Sequence, residues 1–228
     1  MKSQKRILLL CNKLVINISM RVYEYINKQT LAFLQKQLSA KGYSNIGKGV
    51  DAIVFAKKTG DVIKVLIGER DRKTDDAASG FLAFAKFCEN VKSPHLPKFS
   101  NITKTTIGTE EIYQVSVERL YNLTEDERDV VWVMAQYAED NQSFVDVIND
   151  IKQIGNDVLP QYQKDQLRKR NIQLKIAGEN KSIFPLMKKL IKYAGSVKNL
   201  SLDLINDSGV NVMKRRDGTW VITDPFVL

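Results

Sequence analysis

Apolar residues recur at helical spacing near the start of the chain. Over residues 20–41 they stand mostly three to five positions apart, at Val22, Ile26, Leu31, Leu34 and Leu38. Such spacing places the side chains on one face of a helix, and Gly42 supplies a typical stop. The pattern therefore predicts a helix over 20–41.

The hydrophobic period changes to that of strands from about Tyr43. Ala52–Phe55 and Val62–Leu66 are short runs rich in β-branched residues, and Lys58–Asp61 between them has the composition of a hairpin turn. The pattern predicts a meander of three strands.

Helical and strand patterns alternate through the rest of the chain. The predicted helices are 75–90, 124–139, 143–154 and 182–194, and the predicted strands are 98–103, 112–117, 210–213 and 220–223, the last two around a turn at 216–218. A β-rich half with one inserted helix thus precedes a helical half that closes with a β-hairpin. This order predicts an α+β fold.

Composition sets the broad class of protein. The chain has 228 residues, 43% of them hydrophobic, which suits one ordinary domain or two small lobes. No apolar run approaches the length of a membrane span, and the apolar stretch near the start is too short for a signal peptide. We expect a soluble, cytoplasmic protein with no membrane partner. Cys11 and Cys88 lack the spacing of a zinc or redox pair, so reduced thiols are expected.

The formal charge of +9 favours anionic partners such as nucleotides, nucleic acid or acidic proteins. Positive residues are dense only at Lys164–Arg170 and Lys214–Arg216, and the first stretch is typical of a helix with a solvated basic face. The charge also permits a different functional class, a regulator that binds nucleic acid. It predicts that the basic residues converge on one surface.

Two glycines stand in the predicted turn between the first two strands. Gly47, Lys48, Gly49 and Val50 could bring backbone N–H groups close to phosphates. Hairpin turns also use glycine without any ligand, so the motif by itself leaves both interpretations open.

Lys64 places a cation within a strand that is apolar on both faces. Burying an ammonium is costly without a counter-charge, which a phosphate would supply. Gly49 precedes it by fifteen residues (64 − 49), a spacing that fits a glycine turn, a strand, a second turn and a second strand. The alternative is a lysine on an edge strand whose ammonium reaches solvent.

Oxygen ligands gather near the end of the sequence. Asp224 follows an apolar strand and precedes Pro225, which confines it to extended conformations. Asn211 stands thirteen residues earlier (224 − 211), after Asp203 and Asp207. One acid could orient a hydroxyl while a carboxylate and an amide hold magnesium. Loops without any metal are the alternative.

These features stand in the order of the protein-kinase pattern: a glycine loop, a strand lysine, a catalytic loop with an asparagine, and an aspartate closing a hairpin. More narrowly, the segments Ser208–Met213 and Asp217–Pro225 resemble the early serine/threonine protein kinases of podovirus-type coliphages. In those kinases Thr-Asp-Pro stands where ordinary kinases have Asp-Phe-Gly. The resemblance runs from about Tyr43 to the C-terminus.

The resemblance implies a bilobal protein-kinase-like fold. Its parts would be an N-terminal extension and helix over 1–42, a β-sheet N-lobe with one helix over 43–121, and a reduced helical C-lobe over 122–228 that ends after the metal-binding hairpin. It implies ATP and Mg²⁺ as cofactors and host proteins as substrates. The implied site residues are Lys64 for catalysis, Gly47, Lys48, Gly49, Val50, Lys64 and Glu118 for the nucleotide, and Asn211 and Asp224 for magnesium. Asp203 is the preferred candidate for the catalytic acid, although the pattern places that acid elsewhere.

The catalytic loop departs from that pattern. Five residues before Asn211, where the catalytic aspartate is expected, the chain has Asn206, which cannot accept a proton. Asp203 is the preferred substitute and Asp207 the alternative. A pseudokinase that binds nucleotide or a host protein without catalysis therefore stays open.

Other departures concern the partner of Lys64 and the substrate. The helix 75–90 has no evident glutamate facing that lysine, although Asp75, Asp76 and Glu89 are candidates. The sequence ends four residues after Asp224 (228 − 224), which leaves no activation segment. Substrate choice would then come from the N-terminal helix or the basic segment near Arg168. The only histidine, His95, lies in a proline-flanked loop and is expected to be structural or exposed.

Overall fold

The computed structural model describes residues 28–48, 52–68, 77–108, 110–154, 160–206 and 209–227. The α-helices are α1 (Lys28–Ala40), α2 (Ala77–Asn90), α3 (Glu125–Glu139), α4 (Phe144–Gln153), α5 (Pro160–Glu179) and α6 (Phe184–Ala194), and a 3₁₀ turn spans Lys181–Ile183. The strands are β1 (Ser44–Lys48), β2 (Ala52–Ala56), β3 (Val62–Gly68), β4 (Phe99–Ile107), β5 (Glu110–Val117), β6 (Ser201–Leu202), β7 (Ile205–Asn206), β8 (Gly209–Val210), β9 (Val212–Lys214), β10 (Trp220–Ile222) and β11 (Phe226–Val227).

The chain divides into two compact units. The first comprises the described residues up to Leu82 together with Lys98–Arg119, and the second comprises Ala83–Pro97 and Leu120–Val227. A β-sheet and several helices are both present, so the prediction of a mixed α and β fold is confirmed at that level.

A five-stranded antiparallel sheet dominates the first unit. Its strand order is β1-β2-β3-β5-β4, which places β3 in the middle. The predicted meander is present, and Gly60 in the turn between β2 and β3 has a φ of 103°. Only glycine adopts that conformation readily, which explains why the turn forms at this position.

The first helix ends where the sequence predicts. Helix α1 ends at Ala40, and Gly42 follows with a φ of 81°. The Tyr43 amide then donates to the Leu38 carbonyl at 3.0 Å, a bond that satisfies one of the last carbonyls of the helix. The described part of this helix begins at Lys28, and the predicted residues 20–27 lie outside the described ranges.

Helix α1 supplies part of the core of the sheet. Its two most buried leucines pack with four sheet residues in one cluster: Leu34, Leu38, Ile53, Phe55, Val65 and Ile112. Each of the six is at most 2% exposed. The alternation along β2 and β3 sends these residues to one face. That face is therefore covered by α1.

The predicted helices of the second unit have clear start signals. Thr124 and Glu127 form a capping box at α3, and Ser143 and Asp146 form another at α4. In each box the hydroxyl accepts a backbone N–H while the acid accepts the cap N–H, which satisfies two donors that the helix leaves unpaired. These boxes explain why α3 and α4 begin next to the predicted starts at 124 and 143.

Helix α5 extends well beyond the basic segment that the sequence indicated as helical. Its contacts with α3 include polar ones: Gln173 is 3% exposed and donates to Asp129 at 3.1 Å, and the partly exposed Lys169 pairs with Asp129 at 2.8 Å. Hydrophobic periodicity cannot reveal a helix that packs through polar groups.

No helix within the described ranges is both long and apolar enough to cross a membrane.

Candidate active site

The closing hairpin of the second unit positions the predicted metal ligands. Strands β9 and β10 pair antiparallel, and Gly218 in their turn has a φ of 90°. Beyond the paired strands, the Thr223 amide donates to the Asn211 carbonyl at 2.9 Å. This bond holds the residue before Asp224 against Asn211.

A second, smaller hairpin brings Asp203 and Asn211 together. Strands β7 and β8 pair through Asn206 with Gly209, so the chain turns back on itself between the two side chains. The Asn211 side-chain amide donates to the Asp203 carbonyl, and it lies 3.4 Å from the Asp203 carboxylate. The hairpin thereby brings Asp203 and Asn211 together although they are eight positions apart (211 − 203), which is more than in the kinase pattern.

Asp224 is held between two anchored neighbours. The Asp203 amide donates to the Pro225 carbonyl at 2.6 Å, and Thr223 is bonded to Asn211. Beyond Pro225 the chain continues as β11, which pairs with β6 just before Asp203. Asp203, Asn211 and Asp224 are all half-buried. The structure therefore brings these three predicted site residues together.

The geometry distinguishes Asp203 from the other candidates for the catalytic position. Asn206 lies in β7 and pairs with Gly209 at the turn of the small hairpin, whereas Asp203 accepts the hydrogen bond from Asn211. Asp207 lies outside the described residues. The role of Asp203 in catalysis stays a prediction, but its position beside Asn211 suits that role.

The donor atoms of this cluster suit a hard cation. The Asn211 amide nitrogen faces the Asp203 carbonyl, so the amide oxygen points away from it. Across the described ranges, no three His, Cys, Asp or Glu side chains gather around one point that could hold a metal ion. Magnesium typically takes one or two carboxylates and completes its shell with water and substrate phosphates. Asp224 and Asn211 could hold Mg²⁺ on those terms.

The loop before β4 holds the closing hairpin from one side. His95 is 5% exposed, and its ring contacts the Trp220 carbonyl and the Ser182 hydroxyl at 2.8 Å each. The His95 carbonyl accepts the Ile222 amide at 3.0 Å, and the Arg215 guanidinium donates to the carbonyls of residues 94 and 96. His95 is therefore structural, one of its two expected roles.

An ion pair holds the hairpin from the other side. Lys214 on β9 exchanges both backbone hydrogen bonds with Tyr121, and its ammonium lies 2.7 and 2.9 Å from the Glu127 carboxylate oxygens. Partial burial would raise the pKa of Glu127, but the hydrogen bonds from Lys214 and Thr124 outweigh it and hold that pKa below its ordinary value. The carboxylate thus stays charged while it caps α3.

In the first unit, Lys64 lies in the middle of the sheet. Strand β3 pairs with β2 and β5, and Lys64 stands between Val54 and Val115. The interpretation of Lys64 as a lysine on an edge strand is therefore wrong, because strands flank it on both sides. Its side chain is half-buried, and its ammonium lies 4.8 Å from the ring centroid of Phe81.

The other predicted nucleotide contacts are only partly described. The register of β1 against β2 shifts between Asn45 and Gly47. The Gly47 amide donates to the Asn45 side chain at 3.1 Å. Lys48 ends that strand, while Gly49 and Val50 lie outside the described residues. The Glu118 carboxylate accepts the Lys98 amide at 2.9 Å, which extends the pairing of β4 with β5. A nucleotide contact by Glu118 stays a prediction.

The comparison with solved structures gives a distant likeness. No family model matches the chain, and no curated protein matches it either. Among solved structures, the streptomycin–ATP–APH(2")-IIa ternary complex is a weak neighbour at 15% sequence identity. The match covers 89% of this chain and 72% of that chain, with a TM-score of 0.31. A likeness at this level identifies neither a substrate nor a metal for this chain.

The two basic stretches are largely engaged within the protein. Lys214 pairs with Glu127, Lys169 pairs with Asp129, and Arg170 donates to a backbone carbonyl. Arg168 and Lys175 of α5 line an open groove together with apolar and amide neighbours: Leu167, Asn171 and Ile172. Lys169 and Arg170 of the first stretch and Lys214 and Arg215 of the second thus have partners within the protein.

Sequence reasoning missed two residues that contact the predicted site residues or their hairpin. Glu127 could have been found, because Thr-x-x-Glu before an apolar run is a capping-box signature, although its pairing with Lys214 spans 87 positions (214 − 127). Phe81 was visible only as an apolar position of a helix. Its contact with Lys64 depends on how the helix packs on the sheet, for which the sequence carries no local signal.

Proposed function

We propose that this protein is a kinase-like phosphotransferase that binds ATP with Mg²⁺ and transfers the γ-phosphoryl group to a protein hydroxyl. The observation that carries the proposal is the bond from the Asn211 side chain to Asp203, with Asp224 held beside them. A base, an amide and a metal-binding carboxylate are the groups that phosphoryl transfer requires.

Each of these residues has a specific part in the proposed reaction. Asn211 and Asp224 would hold Mg²⁺, which neutralises charge on the phosphates. Asp203 would orient the acceptor hydroxyl and take its proton as the oxygen bonds to the γ-phosphorus. The bond from that phosphorus to the β–γ bridging oxygen breaks, and ADP leaves. In the first unit, Lys64 would bind the α- and β-phosphates.

The acceptor and the biological setting rest on the sequence resemblance. The segments around Asn211 and Asp224 resemble the podovirus-type early kinases, and we therefore propose serine or threonine residues of host proteins as acceptors. Asp203 is half-buried beside Asn211, and we propose it as the catalytic base; a pseudokinase that binds nucleotide without transfer is the alternative.

The test is thermal unfolding with and without ATP and Mg²⁺, followed by transfer of labelled phosphate to protein substrates. At a ligand concentration of about a hundred times Kd, binding should add roughly 2.7 kcal/mol to the free energy of unfolding. The variants are Lys64→Ala, Asp224→Ala and Asp203→Asn. We expect the first two to lose most of the stabilisation, and Asp203→Asn to keep it but lose transfer.

Two exposed residues provide matched controls. Lys58→Ala removes a lysine from a turn of the same sheet, and Asp165→Asn removes an exposed carboxylate from α5. Both should leave stabilisation and transfer unchanged. Stabilisation without transfer in the unmodified protein would favour the pseudokinase. Absence of any ATP-dependent stabilisation would refute the proposed function.

A further inference from the structure

The ammonium of Lys64 lies over the ring of a buried phenylalanine. Its Nζ is 4.8 Å from the ring centroid of Phe81, within the range of a cation–π contact. Phe81 lies in α2 and is 1% exposed. The two residues belong to the same compact unit.

The packing around Phe81 restrains its ring. Phe99 at the start of β4 meets it edge to face, with centroids 5.1 Å apart and an interplanar angle of 67°. A buried aromatic ring held by such a pair has little freedom to turn its face elsewhere. The ring therefore offers the Lys64 ammonium a surface with a defined position.

The surroundings of Lys64 make such a contact effective. Its cross-strand neighbours are Val54 and Val115, and its side chain is half-buried. A cation near apolar groups gains more from an aromatic face than one in open water, because less solvent competes for it. The acidic residue within the described part of α2 is Glu89, which is exposed.

We propose that Phe81 is a positioning residue that holds the Lys64 ammonium where it meets the nucleotide phosphates. The inference rests on the proposed function, since it assumes that Lys64 binds ATP. It gives an aromatic ring on this helix a share in positioning the lysine, a task in which the protein-kinase pattern uses a glutamate of the corresponding helix.

The test alters the ring's electrostatics without altering its shape. Phe81 is replaced by mono-, di- and trifluorinated phenylalanine, which progressively weaken the negative ring face. The Kd for Mg-ATP is then measured by calorimetry. We expect affinity to fall stepwise with fluorination, by roughly 3- to 30-fold in all, which is the range that cation–π contacts support. The melting temperature of the nucleotide-free protein should change little.

Two further variants separate positioning from packing. The same fluorination at Phe55, which is equally buried at 1% exposure, should leave the Kd unchanged. Phe81→Leu should weaken ATP binding and also lower stability, whereas Phe81→Tyr should retain binding because it keeps the ring.

The contact itself has a readout that needs no nucleotide. Lysines carrying ¹³C-methyl groups give one NMR signal each, and Lys64→Arg identifies the signal of Lys64. A nearby ring face should shift that signal upfield, and Phe81→Leu should return it to the usual position. An unshifted signal would overturn the contact, whatever the protein binds.

The remaining outcomes separate the inference from the proposed function. If ATP binds but its Kd does not respond to fluorination at Phe81, the positioning role is refuted and the proposed function stands. If no ATP binds at all, both fail, while the Lys64 signal still reports whether the ring contact exists.

Discussion

The ion pair between Glu127 and Lys214 should contribute measurably to stability. Their side chains are 15% and 25% exposed, and the ammonium reaches both carboxylate oxygens within 2.9 Å. Exposed pairs contribute about 0–1 kcal/mol, and removing one partner of a buried pair costs about 3–5 kcal/mol. For this intermediate burial we expect Glu127→Gln to cost about 2 kcal/mol. Glutamine can still cap α3, so the loss reports mainly on the charge.

Urea unfolding followed by tryptophan fluorescence would measure this loss. Trp220 is fully buried and stands opposite Lys214 in the closing hairpin, so its emission reports on the relevant region. The exposed Trp132 is first replaced by phenylalanine to remove its signal. A double-mutant cycle of Glu127→Gln with Lys214→Met should give a coupling energy of about 1–2 kcal/mol.

The pH dependence provides an independent check. Because the folded pKa of Glu127 is depressed below its ordinary 4.5, its contribution is fully present above that pH and is lost as the pH falls towards the folded pKa. The unmodified protein should therefore lose more stability below about pH 4.5 than Glu127→Gln does. The exposed pair of Lys175 and Glu179, at 3.8 Å, is the control, and Glu179→Gln should change stability by less than about 0.5 kcal/mol. A coupling energy near zero between Glu127 and Lys214 would refute the reasoning.

Three further predictions follow from single sites. Burial, reinforced by Glu89, raises the pKa of Cys88 to about 12. In a Cys11→Ser variant, which leaves Cys88 as the one thiol, the native protein should therefore react with a thiol reagent far more slowly than the unfolded protein. A Cβ at Gly47 would meet nothing within 4 Å, so Gly47→Ala should keep its melting temperature, and a weaker Kd for Mg-ATP would show that a ligand covers this turn. His95→Leu removes two ring hydrogen bonds and should cost about 1–3 kcal/mol in urea unfolding, and an unchanged midpoint would contradict its structural role.

Turns were the most predictable part of the fold. Gly42, Gly60 and Gly218 all have positive φ, and each stands where the sequence predicted a helix stop or a turn. The requirement is local, since glycine is the usual residue where a turn or a helix end needs a positive φ. By contrast, β6 pairs with β11 through two residues each, from opposite ends of a long segment. Strands that short have no periodicity to detect.

The candidate site was predictable by residue type and only partly by spacing. Asn211 and Asp224 stand on an ordinary hairpin, and local pattern was enough to pair their strands. The position of Asp203 was uncertain because the sequence could not show that the Asn-Asp-Ser-Gly stretch folds into a hairpin of its own. Once Asn206 pairs with Gly209, Asp203 and Asn211 come together despite their separation.

The contact between Lys64 and Phe81 could not be predicted because it depends on tertiary packing. A search for a carboxylate on the following helix points to Asp75, Asp76 and Glu89. The first two lie outside the described residues, and Glu89 is exposed. The ring of Phe81 reaches the ammonium because α2 packs with that residue inward. Periodicity identified Phe81 as buried but not what it covers.

The packing of α1 on the sheet affects how the protein can be handled. Leu34 and Leu38 cover sheet residues that are almost fully inaccessible to solvent: Ile53, Phe55, Val65 and Ile112. A recombinant fragment that starts at Tyr43 would keep every strand but expose this apolar face. Large exposed apolar patches promote self-association. Such a fragment would therefore be expected to precipitate, and a protease cut after Ala40 that releases the helix would have the same effect.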